Sequence, residues 1–558
     1  MAPQTFGGVD ADGAVDAAFW AWATSSGVEA IRCAPGEVSE GWRGVVATDD
    51  IAADDVVLRV PGELLMSARS AARDPDLVAA FENAPSPGLT PADRLCCHLL
   101  REAARGAASP WHLYIAQLPR AYNILACWSD AERAELQVPH AVDAAARAAE
   151  EVRAARRRAA PALDALALPR AFRGERAWLW AHATVSSRTV FVPFDPAGAL
   201  CPVGDLFNYA PPPPAHAPKF LGTPLEGGDE SSPEDDDSTG SWETAGDGAW
   251  DESSGEYRFH ARRAYRAGEQ IMLCYGRYTN LQLLEHYGFL LPPVPGNPND
   301  VAAIPLVVPE DVPAKPIPVP VPVPSVRALP DGRLEWDDLR DLRVRGWEAT
   351  RGAPRRETRE AASRGHALGA AAEAAAFAAL VDAAAAELLG LPTTAREDTA
   401  KMQRGLTRRS SDEGRSGGLS LARNRRDDVR DERDDERDDE RDGRDEPATG
   451  AAAEEIDRDR DRDRDRDRCL DPDGAPLEWS EEEGRDAEEA AARAARAAED
   501  PDGNASLALR WRLAHKRATQ ATYRAAEARV EEATRGAKGD GGGGGVGGMQ
   551  VSRPRLRR

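Results

Sequence analysis

Residues 404–500 carry almost nothing that can be buried, and this interruption limits every fold open to the chain. Positions 427–444 are nearly all Asp, Glu and Arg, and 457–468 alternate Asp with Arg without a break. Ordering a residue costs on the order of 1–2 kcal/mol of backbone entropy. A mixed-charge stretch has no apolar surface to offset that cost. The alternation can be drawn as a salt-bridged helix, but aspartate is a poor helix former, so solvated disorder is expected. A second such stretch is an acidic loop over about 211–256. It opens on four prolines, and between Lys219 and Arg258 it holds twelve acids and no basic residue. The chain totals 71 basic and 95 acidic side chains, so half of the net charge of −24 sits in that loop. The third and fourth are a tail over 1–18 and a Gly-rich tail over 536–558.

Several function classes are set aside by composition. No apolar run approaches the ~20 residues needed to cross a bilayer, so no membrane span is expected. The acidic balance argues against nucleic acid as a partner, because a phosphate backbone calls for a basic face. Seven scattered cysteines are an odd number without zinc spacing, which argues against a disulfide framework or a structural metal. Residues 1–16 lack a basic and apolar leader pattern and carry Asp10, Asp12 and Asp16. A reduced cytoplasmic or nuclear protein is expected. A chloroplast destination stays open without a clear transit peptide.

The foldable part begins at Phe19. Positions 44–61 (GVVATDDIAADDVVLRVP) alternate β-branched residues around turn chemistry and predict two strands. Helical spacing follows over 90–105, 111–118 and 130–160. Strands are predicted at 191–194, 257–264 and 270–275, and a helix after Thr279. Helices flanked on both sides by short strands predict an α+β domain: a β fold over 19–300 with a helical insertion over about 63–180. Beyond it, 317–324 (IPVPVPVP) reads as extended or polyproline-like. Strong helices are expected over 366–389 and 506–529, on either side of the charged tract. If these two helices pack together, the tract is a long surface loop.

Four segments occur in order: EGWRGVVA (40–47), VSSR (185–188), LCPVGDLFNY (200–209) and AGEQIMLCYGRYTNLQLLEHYGF (267–289). This series resembles the SET-domain protein methyltransferases, and within them the plant rubisco large-subunit lysine methyltransferase class, which includes the animal actin-histidine enzyme. Weaker matches, LPTTARED (391–398) and LALRWRLAHK (507–516), look like the helical substrate-binding domain of that class. The resemblance therefore implies a SET β fold with a helical insertion. An α-helical substrate-binding domain would follow, split into 301–403 and 501–535 by the insertion at 404–500.

The resemblance also implies S-adenosylmethionine as cofactor. It assigns cofactor contacts to Gly41, Trp42, Arg43, Arg188, Asp205, Asn208, Tyr209 and Tyr287, and substrate contacts to Ser187 and Tyr275. Glycines at 41 and 44 let a backbone approach closely, since they lack Cβ. Arg188 offers a rigid fork suited to a carboxylate; the competing reading is a salt bridge to Asp205. Asn208 presents both donor and acceptor. Tyr209 stands where the family usually has His, a departure that bears on cofactor affinity. Tyr275, before Gly276, is the candidate catalytic residue, because a tyrosine hydroxyl at a channel mouth can orient an amine. The plain alternative for Tyr275 and Tyr287 is a core tyrosine.

No Asp, Glu or His in these segments stands out as a general base, so proton loss to water is expected, helped by desolvation. His182 and His286 are read as packing or capping residues, and the pairs Trp20/Trp22 and Trp178/Trp180 as core. The implied activity is methylation of a lysine on a non-histone protein, by a monomer. Histidine methylation and a catalytically inactive binding scaffold are the alternatives.

Overall fold

The computed structural model describes residues 17–39, 42–83, 88–212, 247–293, 296–306, 325–403 and 503–539. The polyproline-like 317–324, most of the acidic loop, the charged tract and 540–558 lie outside the described residues, as does Gly41. The chain divides into two units, residues 1–395 with 469–558, and 396–468. Of the second, 396–403 is described and is helical. Everything below concerns the first unit.

Two four-stranded sheets form its N-terminal half. The first has the order β1 (Glu29–Ala30), β4 (Val56–Pro61), β9 (Glu256–His260), β8 (Asp247–Asp251). The second joins β2 (Cys33–Ser39), β3 (Trp42–Ala47), β10 (Gln270–Leu273) and β7 (Asn208–Tyr209) in that order. In β4 the apolar side chains Val57, Leu58 and Val60 are buried, as the β-branched run led us to expect. A hairpin of β5 (Thr189–Val192) and β6 (Asp195–Leu200) stands beside them, and β11 (Ala302–Pro305) pairs with β12 (Ser325–Ala328) farther along.

After α1 (Ala17–Ser25), the helical insertion supplies α2 (Ala68–Ala71), α3 (Pro75–Glu82), α4 (Pro91–Ala104), α5 (His112–Gln117), α6 (Asp130–Ala134), α7 (Pro139–Ala165) and α8 (Glu175–Arg188). Its starts are chemically marked. Thr90 and Asp93 form a reciprocal cap on α4, as do Ser129 and Glu132 on α6. Such a cap satisfies amides that the first turn leaves unpaired. One main core packs the insertion against both sheets, through Phe19, Tyr114, Trp178 and Phe259.

The C-terminal half contains α9 (Asn280–His286), α10 (Trp336–Arg351), α11 (Arg356–Ser363), α12 (Ala370–Gly390) and α13 (Asn504–Gly539). The expected helices on either side of the charged tract do pack together. Phe377, Leu380 and Ala384 of α12 share a core with Ala518, Tyr523 and Ala526 of α13. A further core joins Leu284 of α9 to Leu507 and Trp511 of α13 and to Trp128 and Ala141.

Four boundaries differ from expectation. The acidic loop ends earlier, because Asp247–Asp251 is a strand that pairs with β9. Its charge disguised it, yet Arg258 neutralises Asp251 at 2.6 Å and Gly255 supplies the positive-φ turn. The helix expected over 130–160 is broken: Leu136 and Val138 are buried at the break and Pro139 restarts the helix. The helical block extends past 180 to Arg188, so two candidate residues, Ser187 and Arg188, end a helix. The last helix continues to Gly539, into the segment read as a tail.

Candidate functional site

The central strand β10 gathers three of the four motifs. Gln270 and Ile271 pair antiparallel with Val46 and Val45 of β3, while Met272 and Leu273 pair in parallel with Asn208 and Tyr209 of β7. Segments far apart in sequence thereby lie on adjoining strands. Asn208 is 8% exposed, and its Nδ2 donates to the Arg43 carbonyl at 3.0 Å. Gly44 has no room for a side chain. A Cβ there would lie 2.7 Å from Val38 Cγ1, 2.8 Å from Gln270 Nε2 and 3.0 Å from Asn208 Nδ2. The glycine is required by these neighbours' close approach. The Arg43 guanidinium turns to α5, bonding the Gln117 side chain at 2.8 Å and its carbonyl at 3.0 Å.

Arg188 and Asp205 form an ion pair at 3.1 Å, with 14% and 2% of their side chains exposed. Arg188 Nη1 also donates to the Asp205 carbonyl, and the Tyr114 hydroxyl donates to the same carboxylate at 3.0 Å. Burial works against the guanidinium charge, but Tyr122, Asp205 and Tyr114 hold its pKa above the ordinary value. The salt-bridge reading of Arg188 is thus realised, though its Nε is buried without a hydrogen-bond partner. Gln270 Nε2 is a second such atom. Two orphaned donors beside the motif residues suit a ligand that brings acceptors such as a carboxylate. The Ser187 hydroxyl bonds back to the Ala183 carbonyl at 2.7 Å, so its proton is used within α8 while its lone pairs stay available.

The tyrosines converge. Tyr209, fully buried, has ring centroids 5.2 Å from Tyr275 and 6.0 Å from Phe289, and Tyr275 lies 5.2 Å from Tyr287. Tyr278, which sequence reasoning passed over, completes the group: its ring is 5.4 Å from Tyr287, and its hydroxyl accepts from Tyr287 at 3.3 Å. The Tyr209 hydroxyl donates to the Gly276 carbonyl at 3.0 Å, which gives the residue in the usual His position a structural bond of its own. The Tyr275 hydroxyl donates to the Phe207 carbonyl, leaving its lone pairs as acceptors. Burial pushes the Tyr275, Tyr209 and Tyr287 phenols well above their ordinary pKa, so all three stay neutral.

Among the described residues, the Tyr275 and Tyr287 hydroxyls bond to a carbonyl and a phenol, not to a carboxylate or an imidazole. His182 is half-buried in α8, and desolvation lowers its pKa. His286 rests edge-on beside Tyr278 and Tyr287. Trp178 is core, while Trp20, Trp22 and Trp180 are partly buried against it. No metal-binding cluster of His, Cys, Asp or Glu occurs among the described residues, and no single described helix is long and apolar enough to cross a membrane. Trp42 opens β3.

No protein-family model matches the chain. Protein SET DOMAIN GROUP 40 of Arabidopsis thaliana is 39% identical over 278 residues, 48% of this chain and 53% of that protein. The chain resembles SET-domain proteins over that half. Human SET domain-containing protein 4 is 23% identical over 267 residues, 44% of this chain and 52% of its own length. The chain spans about half the length of the curated relatives it matches. Among solved structures, Rubisco LSMT bound to AdoMet is 20% identical with a TM-score of 0.47, and Rubisco LSMT bound to sinefungin and monomethyllysine is 20% identical with a TM-score of 0.48. Each covers 69% of this chain and 84% of the other.

Proposed function

We propose that this protein is an S-adenosylmethionine-dependent protein-lysine N-methyltransferase, acting as a monomer on a non-histone protein in the cytosol or nucleus. The observation that carries the proposal is the junction at β10, where Asn208 and Arg43 meet beside the tyrosine cluster. S-adenosylmethionine, when bound, supplies a sulfonium methyl group for in-line displacement. Arg188 Nε and Asn208 are the side-chain donors suited to hold its amino-acid end, and the Arg43–Gly44 backbone lies against Asn208.

The chain's own task is to deliver an uncharged amine. A lysine with a pKa near 10.4 costs about 4.6 kcal/mol to deprotonate at pH 7. The packed rings of Tyr209, Tyr275 and Tyr287 exclude water from an amine held beside them, and desolvation lowers its pKa. Tyr275, its proton committed to Phe207, offers a lone pair to an amine N–H and so aims the nitrogen. The amine's lost proton passes to water, since among the described residues the Tyr275 and Tyr287 hydroxyls hydrogen-bond a carbonyl and a phenol rather than a carboxylate or an imidazole.

The decisive experiment is calorimetric titration of the full chain with S-adenosylmethionine beside Asn208→Ala. This is followed by labelled methyl transfer to a protein extract and mass spectrometry of the modified residue. Binding that is lost in the variant, with methyl-lysine as product, is expected. Methyl-histidine would move the acceptor class. A folded wild type that binds no cofactor would leave the scaffold reading standing.

A further inference from the structure

The sequence GNPND at 296–300, which none of the motifs above includes, lies against the loop that carries the tyrosines. Asn297 Nδ2 donates to the Tyr278 carbonyl at 2.9 Å and to Asn280 Oδ1 at 3.2 Å. Asp300 takes both donors of Asn280, its backbone N–H at 2.8 Å and its Nδ2 at 2.7 Å. Asn299 accepts from Arg277 Nη1 at 2.7 Å and donates to the Pro212 carbonyl at 3.0 Å, which reaches the chain just past Tyr209. Within the segment, the Asn299 N–H donates to Asn297 Oδ1 at 2.9 Å and fixes that amide's orientation. Asn280 and Asn297 are 8% and 5% exposed, so these bonds have little competition from water.

We infer that segment 297–300 is a clamp whose residues Asn297, Asn299 and Asp300 position the tyrosine loop for methyl transfer. This rests on the proposed activity. The path is short. Fixing the Tyr278 carbonyl fixes its ring, which packs against Tyr209 and Tyr287 and whose hydroxyl accepts from Tyr287. The same bonds hold the start of α9 and the strand end beyond Tyr275. No clamp residue bonds a residue assigned to the cofactor, but Tyr278 passes the effect on to Tyr209 and Tyr287, which are so assigned, so turnover is read beside cofactor affinity. Burial pushes the Asp300 carboxyl up to about 6, against the pull of the Asn280 donors, so at pH 8 it is ionised and acts only as an acceptor.

The test uses Asp300→Asn, which turns an amide donor toward Asn280 Nδ2, and the exchanged pair Asn280→Asp/Asp300→Asn. In the exchanged pair the amide now at position 300 donates to the carboxylate now at position 280, while the backbone bond and the bond from Asn297 persist. At pH 8, hydrogen exchange over 275–281, S-adenosylmethionine titration, and transfer to a lysine-centred peptide pool are measured. Asp300→Asn is expected to speed exchange in that loop and to lower kcat about 10–100-fold, the scale of a misplaced reacting group, with a smaller effect on the cofactor Kd. The exchanged pair should restore both. Unchanged exchange and turnover in Asp300→Asn, or a pair that fails to recover either, overturns the clamp. A wild type that neither binds cofactor nor transfers methyl refutes the proposed activity instead, and the exchange result still reports on the clamp's bonds.

Discussion

Replacing Asp205 by Asn tests the buried pair that underlies the site. The carboxylate is 2% exposed and receives Arg188 Nη1 at 3.1 Å and the Tyr114 hydroxyl at 3.0 Å. Hydrogen bonds to a charged group contribute about 1.5–3 kcal/mol and neutral ones about 0.5–1.5. Two bonds that survive to an amide oxygen therefore still lose roughly 2–3 kcal/mol together. The guanidinium, 14% exposed, is then left without a counter-charge. The total expected loss is about 3–5 kcal/mol, as for breaking one side of a buried pair. At roughly 2–4 °C per kcal/mol, a thermal scan should show Tm lower by at least about 6 °C. The double variant Arg188→Met/Asp205→Leu removes both charges and should recover most of that stability, because well-packed apolar replacements of a buried pair are often neutral. It should nevertheless fail to bind S-adenosylmethionine in calorimetry. A Tm within about 2 °C of wild type for Asp205→Asn would refute the energetic reasoning. Wild-type cofactor affinity in the double variant would refute the role of Arg188.

Three further outcomes are expected. Tyr275→Phe removes the hydroxyl lone pairs and should lower methyl transfer about 10²–10³-fold, like other lost polar catalytic contacts, while calorimetry still shows cofactor binding; undiminished transfer would return Tyr275 to the core. Gly44→Ala places a Cβ 3.0 Å from Asn208 Nδ2 and 2.8 Å from Gln270 Nε2. It should cost about 1–3 kcal/mol as an overpacked site and weaken cofactor binding, a forecast that an unaltered titration would contradict. Burial holds His98 and His140 down to about 4. As pH falls below about 6.5 the unfolded chain takes up these protons and the folded one does not, so stability drops until about pH 4 and then levels. Each histidine accounts for at most about 3 kcal/mol. Urea unfolding from pH 7.5 to 4 should show the decline, and His140→Gln should make it shallower by about one proton; an identical slope would exclude His140.

What could be read without coordinates follows a physical division. The helices at Thr90 and Thr279 were legible because capping chemistry and apolar period lie within a few residues of each other. The packing of α12 on α13 could be posed only as a condition, since the core that Phe377 and Ala518 share joins segments on either side of the charged tract. Strand Asp247–Asp251 was hidden because its stabilising partners, Arg258 and the Tyr257 register, become visible only once the hairpin is closed. At the site, the motif residues were named from the sequence and the residues bonded to them were not. Gln117 orients Arg43, Tyr114 shares Asp205, and Tyr278 receives Tyr287, each through one or two bonds that no spacing encodes. Motif residues stand out in the sequence because backbone shape around them is specialised. Residues that hold these in place need only reach one atom, and many sequences can do that. The salt bridge shows the consequence. Arg188 was read as a cofactor ligand with Asp205 as its structural alternative, yet one guanidinium has enough donors to serve both, and its orphaned Nε is the atom that keeps the cofactor role open.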